Sequence, residues 1–258
     1  MRQIVTAGLL LAPAAALAAS AFDGTWKTRL DTVKVTGKAD TFAVVDGMYT
    51  CSSCVPPIKV KADGTDQKVT GHAYYDTVAI VVVSPNSIER ITKKGGKQAG
   101  STTLTVSSDG NTLNGQFKDY TGAQVATGSF SESRRAPGPV GSNGVSGSWQ
   151  PNQISNANDT ATTIVYQMTD AQFSSHWNGQ SYNAKFDGKK YPVHGDPGHT
   201  LVSLKRLDAN TVQETDYRAG RVTDEIHIAA AADGKTLSVT DKDVEHDQIT
   251  SYTADKQQ

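Results

Sequence analysis

Apolar and polar residues alternate over short stretches of this chain, and no window sustains a helical period. Thr41–Val45, Ile58–Lys61, Thr77–Ser84, Ser87–Lys94 and Ser101–Val106 read as strands in the first half. Thr162–Gln167, Ser181–Lys185, Thr200–Leu204, Thr211–Tyr217, Arg221–Ala229 and Thr236–Asp241 do so in the second. Turn signals separate them, among them Asp63-Gly64, Pro85-Asn86, Gly95-Gly96 and Asp109-Gly110. Thr77–Ser84 is an unbroken, largely β-branched run, which predicts a strand buried on both faces or a staple within a barrel.

The strands belong to a repeat. Lys61–Leu113 lands without a gap on Lys185–Leu237 at a shift of 124 positions. Asp63-Gly64 meets Asp187-Gly188, and Asp109-Gly110-Asn111-Thr112-Leu113 meets Asp233-Gly234-Lys235-Thr236-Leu237. The matches are mostly turn residues, as expected of a retained backbone with drifting side chains. Each half opens on Gly-x-Trp, at Gly24-Thr25-Trp26 and Gly147-Ser148-Trp149. Ala229–Ala232 favours helix locally, but its counterpart Thr105–Ser108 does not, so the repeat decides for strand.

The expected fold is all-β: two tandem antiparallel β-barrel domains from an internal duplication, with domains at 20–133 and 147–258. Roughly eight to ten short strands per half suit a meander closed into a barrel, with room for packed side chains or one small ligand. Between them, 134–146 is rich in Pro, Gly and Ser and reads as a linker.

Composition adds location and excludes some partners. Met1-Arg2-Gln3, the apolar run Ile4–Leu17 and the small residues Ala16-Leu17-Ala18 have the layout of a cleavable signal peptide over 1–18. The mature protein is therefore expected to be periplasmic or secreted. No other stretch is long and apolar enough to span a bilayer. A formal net charge of −1 offers no basic face for nucleic acid.

With Gly-x-Trp at its start and hairpin turns throughout, each half resembles a lipocalin-like (calycin-type) β-barrel. Thr215-Asp216-Tyr217 is similar to a second lipocalin signature, at a shorter distance from Trp149 than that signature keeps. Over nearly the whole mature chain, Tyr49–Pro57, Gly179–Lys185 and Gly195–Gly198 resemble a family of two-copy secreted bacterial proteins of unassigned activity. That resemblance implies architecture and location and transfers no catalytic residue.

Several groups are candidates for chemistry. Cys51 and Cys54 are the only cysteines, and a local disulfide stiffening a loop is the favoured reading over redox or metal chemistry. His194, Asp196 and His199 could hold a transition metal, although Asp196-Pro197-Gly198 is first a tight turn. Glu245-His246-Asp247 is read as a solvated strand end. Period two places Val212, Glu214 and Asp216 on one face. Those carboxylates are expected in a solvent-facing ladder with Arg218 and Arg221. Facing a lumen instead, they and His227 could do acid–base work. Tyr74, Tyr75, Trp177 and Tyr182 are the ligand-contact candidates. No nucleophile-elbow, phosphate-loop or zinc-protease motif appears, and no cofactor is expected.

Three functions follow. The leading one is an exported protein binding a small, partly apolar ligand, lipid or glycan in a lumen or inter-domain cleft. The second is a secreted lyase, isomerase or hydrolase using the carboxylates and histidines of the second half. The third is a structural envelope protein.

Overall fold

The computed structural model describes residues 20–258. The signal-peptide expectation at 1–18 lies outside them. The first strands are β1 (Gly24–Thr28), β2 (Lys34–Gly37), β3 (Asp40–Val45), β4 (Met48–Cys51), β5 (Ile58–Lys61) and β6 (Gln67–Lys68). There follow β7 (Thr77–Ser84), β8 (Ser87–Lys94), β9 (Lys97–Val106), β10 (Thr112–Asp119), β11 (Ala126–Pro137) and β12 (Gly147–Ala157). After a short helix α1 (Asp159–Thr162) come β13 (Thr163–Met168), β14 (Gln172–Trp177), β15 (Gln180–Lys185), β16 (Tyr191–Pro192) and β17 (Leu201–Arg206). The last are β18 (Thr211–Arg218), β19 (Arg221–Ala230), β20 (Thr236–Asp243) and β21 (Gln248–Lys256).

These strands make two antiparallel, nearly closed barrel-like sheets. The first runs β5-β4-β3-β12-β11-β10-β9-β8-β7-β6. The second runs β15-β14-β13-β1-β21-β20-β19-β18-β17-β16, with β2 also on β21. Its two ends meet where Ser181 and His194 exchange backbone bonds of 3.0 and 2.8 Å. In the first barrel the Gly64 N–H donates to Ile80 O at 2.9 Å across the corresponding gap.

The Gly-x-Trp strands are exchanged between the halves. β12 opens the C-terminal half, yet it pairs with β11 and β3 of the first barrel. β1, at the N-terminal end, pairs with β13 and β21 of the second. The first barrel is thus the continuous run 40–157, inserted into a second barrel built from 24–37 and 163–258. An antiparallel strand pairs most readily with its neighbour in the chain, so β12 folds back on β11 rather than opening the next barrel. The expected linker is correspondingly shorter, because β11 runs on to Pro137.

The opening glycines are required by geometry. Gly24 and Gly147 have φ of 140° and 148°, and a Cβ on Gly147 would stand 2.6 Å from Ala136 O. Each following indole enters a core, Trp26 that of the second barrel and Trp149 that of the first. Their N–H groups donate to Phe22 O and Val145 O, both at 2.8 Å. Elsewhere the alternation holds: Val78 and Ile80 in β7, and Ile88 in β8, point inward. The run in β7 outlasts its core, for Val83 is 58 % exposed. The strand is thus buried on both faces only over Val78–Ile80, and it serves as part of the barrel, the other expectation for this run.

Candidate functional site

A cavity of about 720 Å³ extends from the lumen of the first barrel to a mouth shared with the second. Its deep wall is apolar, formed by Leu104, Leu113, Phe42 and Phe130. Leu113 is fully buried. Gly115 keeps this space open to Phe130, whose ring lies where a Cβ on the glycine would go. Period two then carries polar groups into the same lumen. Arg90 follows inward-facing Ile88 by two residues on β8, and Glu132 on β11 lies opposite Leu113. Asp40, at the start of β3, and the buried Tyr49 complete the polar part of the wall.

Burial governs the titration of these groups. It lifts the Glu132 carboxyl to about 7, with the Asp40 charge pushing the same way and Arg90 opposing. The Asp40 carboxyl is raised for the same first reason, against the pull of Arg90 and His246. The Tyr49 hydroxyl is raised by burial, and the nearby Arg90 charge holds it back.

The rim comes from both barrels. On the first, the Cys51–Cys54 disulfide forms a tight loop at the mouth. His72 and Tyr75 stack with ring centroids 4.5 Å apart, and burial lowers the His72 pKa. Tyr74 reaches across to the second barrel. Its ring is so close to Gly198 that a Cβ there would lie 2.8 Å away, and Arg218 stands over it at 5.3 Å. Arg218 is itself fixed by Asp224 and Thr200, both at 3.1 Å. His199, Arg221 and His246 also line the opening. Away from the mouth, the barrels are bonded through the β14–β15 turn. Ala123 N–H donates to Asn178 O at 2.8 Å, and Asn178 Nδ2 donates to Gln124 O at 2.9 Å.

The second barrel fills the equivalent space differently. The repeat puts Glu214 where the first barrel has Arg90. Glu214 is 6 % exposed and accepts a short hydrogen bond from the Tyr182 hydroxyl. Burial raises the pKa of both Glu214 and Asp216, and each carboxyl in this close pair bears on the other. It lifts Asp241 to about 7. The expectation of a solvent-facing ladder is therefore corrected. Val212 and Glu214 turn into the barrel together because they share its inward parity, and Arg218 alone pairs with a carboxylate there, Asp224. His227 has the opposite parity and is exposed, so it does not join them.

The other candidates divide between the two sites. Tyr74 and Tyr75 are at the cavity mouth, whereas Trp177 and Tyr182 pack edge-on in the second barrel at 6.2 Å. Asp196 is buried, and its oxygens accept from the Gly198 and Thr200 N–H groups within its own turn. His194 joins the bridge that closes the second sheet, and His199 lies on the rim. Among the described residues no group of three His, Cys, Asp or Glu side chains could hold a metal. No helix among them is long and apolar enough to cross a membrane. Arg90 and Glu132 escape a sequence reading because only their parity relative to Ile88 and Leu113 reveals that they face a lumen.

Comparison with protein-family models, with curated proteins and with solved structures returned no match.

Proposed function

We propose that this is an exported binding protein that holds a small, partly apolar ligand in the lumen of its first barrel. The observation that carries the reading is the cavity of about 720 Å³, whose lining joins an apolar wall of Phe42, Leu104, Leu113 and Phe130 to polar and charged groups of the lumen and mouth. Its volume lies in the range of small-molecule sites, roughly 300–1,000 Å³, and its lining mixes apolar and polar surface. The rim of loops from both barrels gives the site one entrance controlled by two modules. Export rests on the charge and hydropathy of residues 1–18. The enzyme alternative draws on Glu214, Asp216 and His227, but Glu214 is buried against Tyr182 in a packed core and His227 is exposed away from it.

The test is a fluorescence titration with the neutral apolar dye N-phenylnaphthylamine. Wild-type protein should bind it, and Leu104→Trp, which fills the lumen, should weaken binding at least about tenfold without changing the far-UV circular dichroism. Unchanged binding by the filled variant, or no binding by wild type, would remove the lumen from consideration.

A further inference from the structure

The lumen contains a guanidinium, Arg90, and a carboxyl, Glu132, that do not bond to each other, and the carboxyl is largely ionised only above about pH 7. Buried charges are ordinarily paired, because an isolated one is strongly penalised. Arg90 is half-buried and makes no salt bridge among the described residues. On β11 Glu132 is 7 % exposed, and its Oε2 is buried with no hydrogen-bond partner. Both side chains line the same cavity, near enough for their charges to interact and too far apart to bond.

Resting on the lumen reading, we propose that the ligand is a small zwitterion with an apolar body, of the amino-acid or short-peptide class, its carboxylate on Arg90 and its ammonium on Glu132. The guanidinium presents a planar fork of N–H donors suited to a carboxylate, and the two bonds it makes are charge-assisted. The ammonium supplies the donor that Glu132 Oε2 lacks, with Asp40 adding favourable charge nearby. Phe42, Leu104 and Phe130 receive the apolar part. Singly charged ligands fit less well. A fatty acid satisfies Arg90, leaves the Glu132 oxygen unmet and brings its own negative charge near Asp40. An apolar amine satisfies Glu132 and adds to the charge of Arg90. The second barrel lacks this pairing of opposites, because Glu214 replaces Arg90 and is taken up by Tyr182.

The experiment is competition against bound N-phenylnaphthylamine at about pH 8, where Glu132 is ionised and the ligand ammonium groups keep their protons, with L-phenylalanine, phenylpropionate and phenethylamine. These share one ring and differ only in carrying both charges, the negative one or the positive one. L-phenylalanine should displace the dye at a concentration roughly tenfold or more below either analogue, the factor expected from one added charge-assisted bond. Arg90→Met should weaken phenylalanine and phenylpropionate by a similar factor and spare phenethylamine. Glu132→Gln should weaken phenylalanine and phenethylamine and spare phenylpropionate. The zwitterion assignment is overturned if a singly charged analogue matches phenylalanine, or if either variant lowers all three alike while the dye still binds. Dye that fails to bind, or that binds Leu104→Trp unchanged, points instead to failure of the lumen reading.

Discussion

The Arg134 guanidinium lies 3.9 Å over the indole ring of Trp149. Trp149 belongs by sequence to the second half but sits in the core of the first barrel, and Arg134 is on β11 beside it. The same arginine donates to the carbonyls of Ser146 at 2.7 Å and Gly144 at 2.8 Å, and to Gly110 O. It therefore ties the segment leading into the Gly-x-Trp strand to the turn between β9 and β10. Arg134→Ala should remove about 3 kcal/mol of stability, since several charge-assisted bonds and the ring contact go together. In the second barrel Lys256 stands 5.4 Å from Trp26, and Lys256→Ala should cost less than about 1 kcal/mol. Urea denaturation of the two variants checks the contrast, and equal losses would contradict it.

The strand exchange predicts where the chain can be cut. A fragment of residues 40–157 contains every strand of the first barrel and should fold alone. A fragment ending at 137 lacks β12 and should remain largely unfolded. Dispersed amide spectra and a cooperative melt in the first, and neither in the second, are the expected outcome. A well-folded shorter fragment would show that the tryptophan strand is dispensable.

Glu132 makes stability depend on pH in a definite direction. Its folded pKa, about 7, is above the ordinary 4.5, so the folded state holds the proton more tightly. That contribution is fully present below about pH 4.5 and is lost as pH rises through about 7. Asp241 acts in the same sense. Raising the pH from 5 to 8 should therefore lower stability, with Glu132 supplying at most roughly 3 kcal/mol. Glu132→Gln should flatten this part of the profile. A melting temperature that rises over the same interval in wild type, or a profile unchanged in the variant, would refute the assignment.

The disulfide has a local role. Cys51 and Cys54 are separated by only three positions, so the closed loop is short. Replacing both by serine should cost at most roughly 2 kcal/mol and leave both barrels folded. Because the pair borders the cavity mouth, dye dissociation should be faster in the double variant, as read by stopped-flow fluorescence. A dissociation rate equal to wild type would separate the loop from ligand entry.

Much of this architecture was legible in the sequence, and what was hidden has physical reasons. β5, β7 and β8 match their expected limits because β-branched residues between strong turn signals leave little choice. β4 and β14 went unread. Only Tyr49 and Cys51, and Phe173 and Ser175, face their interiors, and too few apolar residues mark so short a strand. The exchange of β1 and β12 was invisible, because periodicity shows that a segment is a strand without naming its partner. Aromatic character beside a turn picked out Tyr74 and Tyr75, which line the mouth, but the same signal picked out Trp177 and Tyr182, which pack in the second barrel. Arg90 was not picked out, since a charge in a strand normally faces water and only its parity with Ile88 points inward. Glu214 and Asp216 show the same difficulty: their shared face could be read, but not which way it turned.

The site claim is most directly tested by methyl nuclear magnetic resonance during titration with N-phenylnaphthylamine. Leu113 lies in the first lumen, and Leu237, its counterpart in the repeat, lies in the core of the second barrel. The Leu104 and Leu113 methyl signals should shift together along one saturating curve while those of Leu237 stay in place. Movement of Leu237 with Leu104 and Leu113 unmoved would contradict a ligand site in the first barrel.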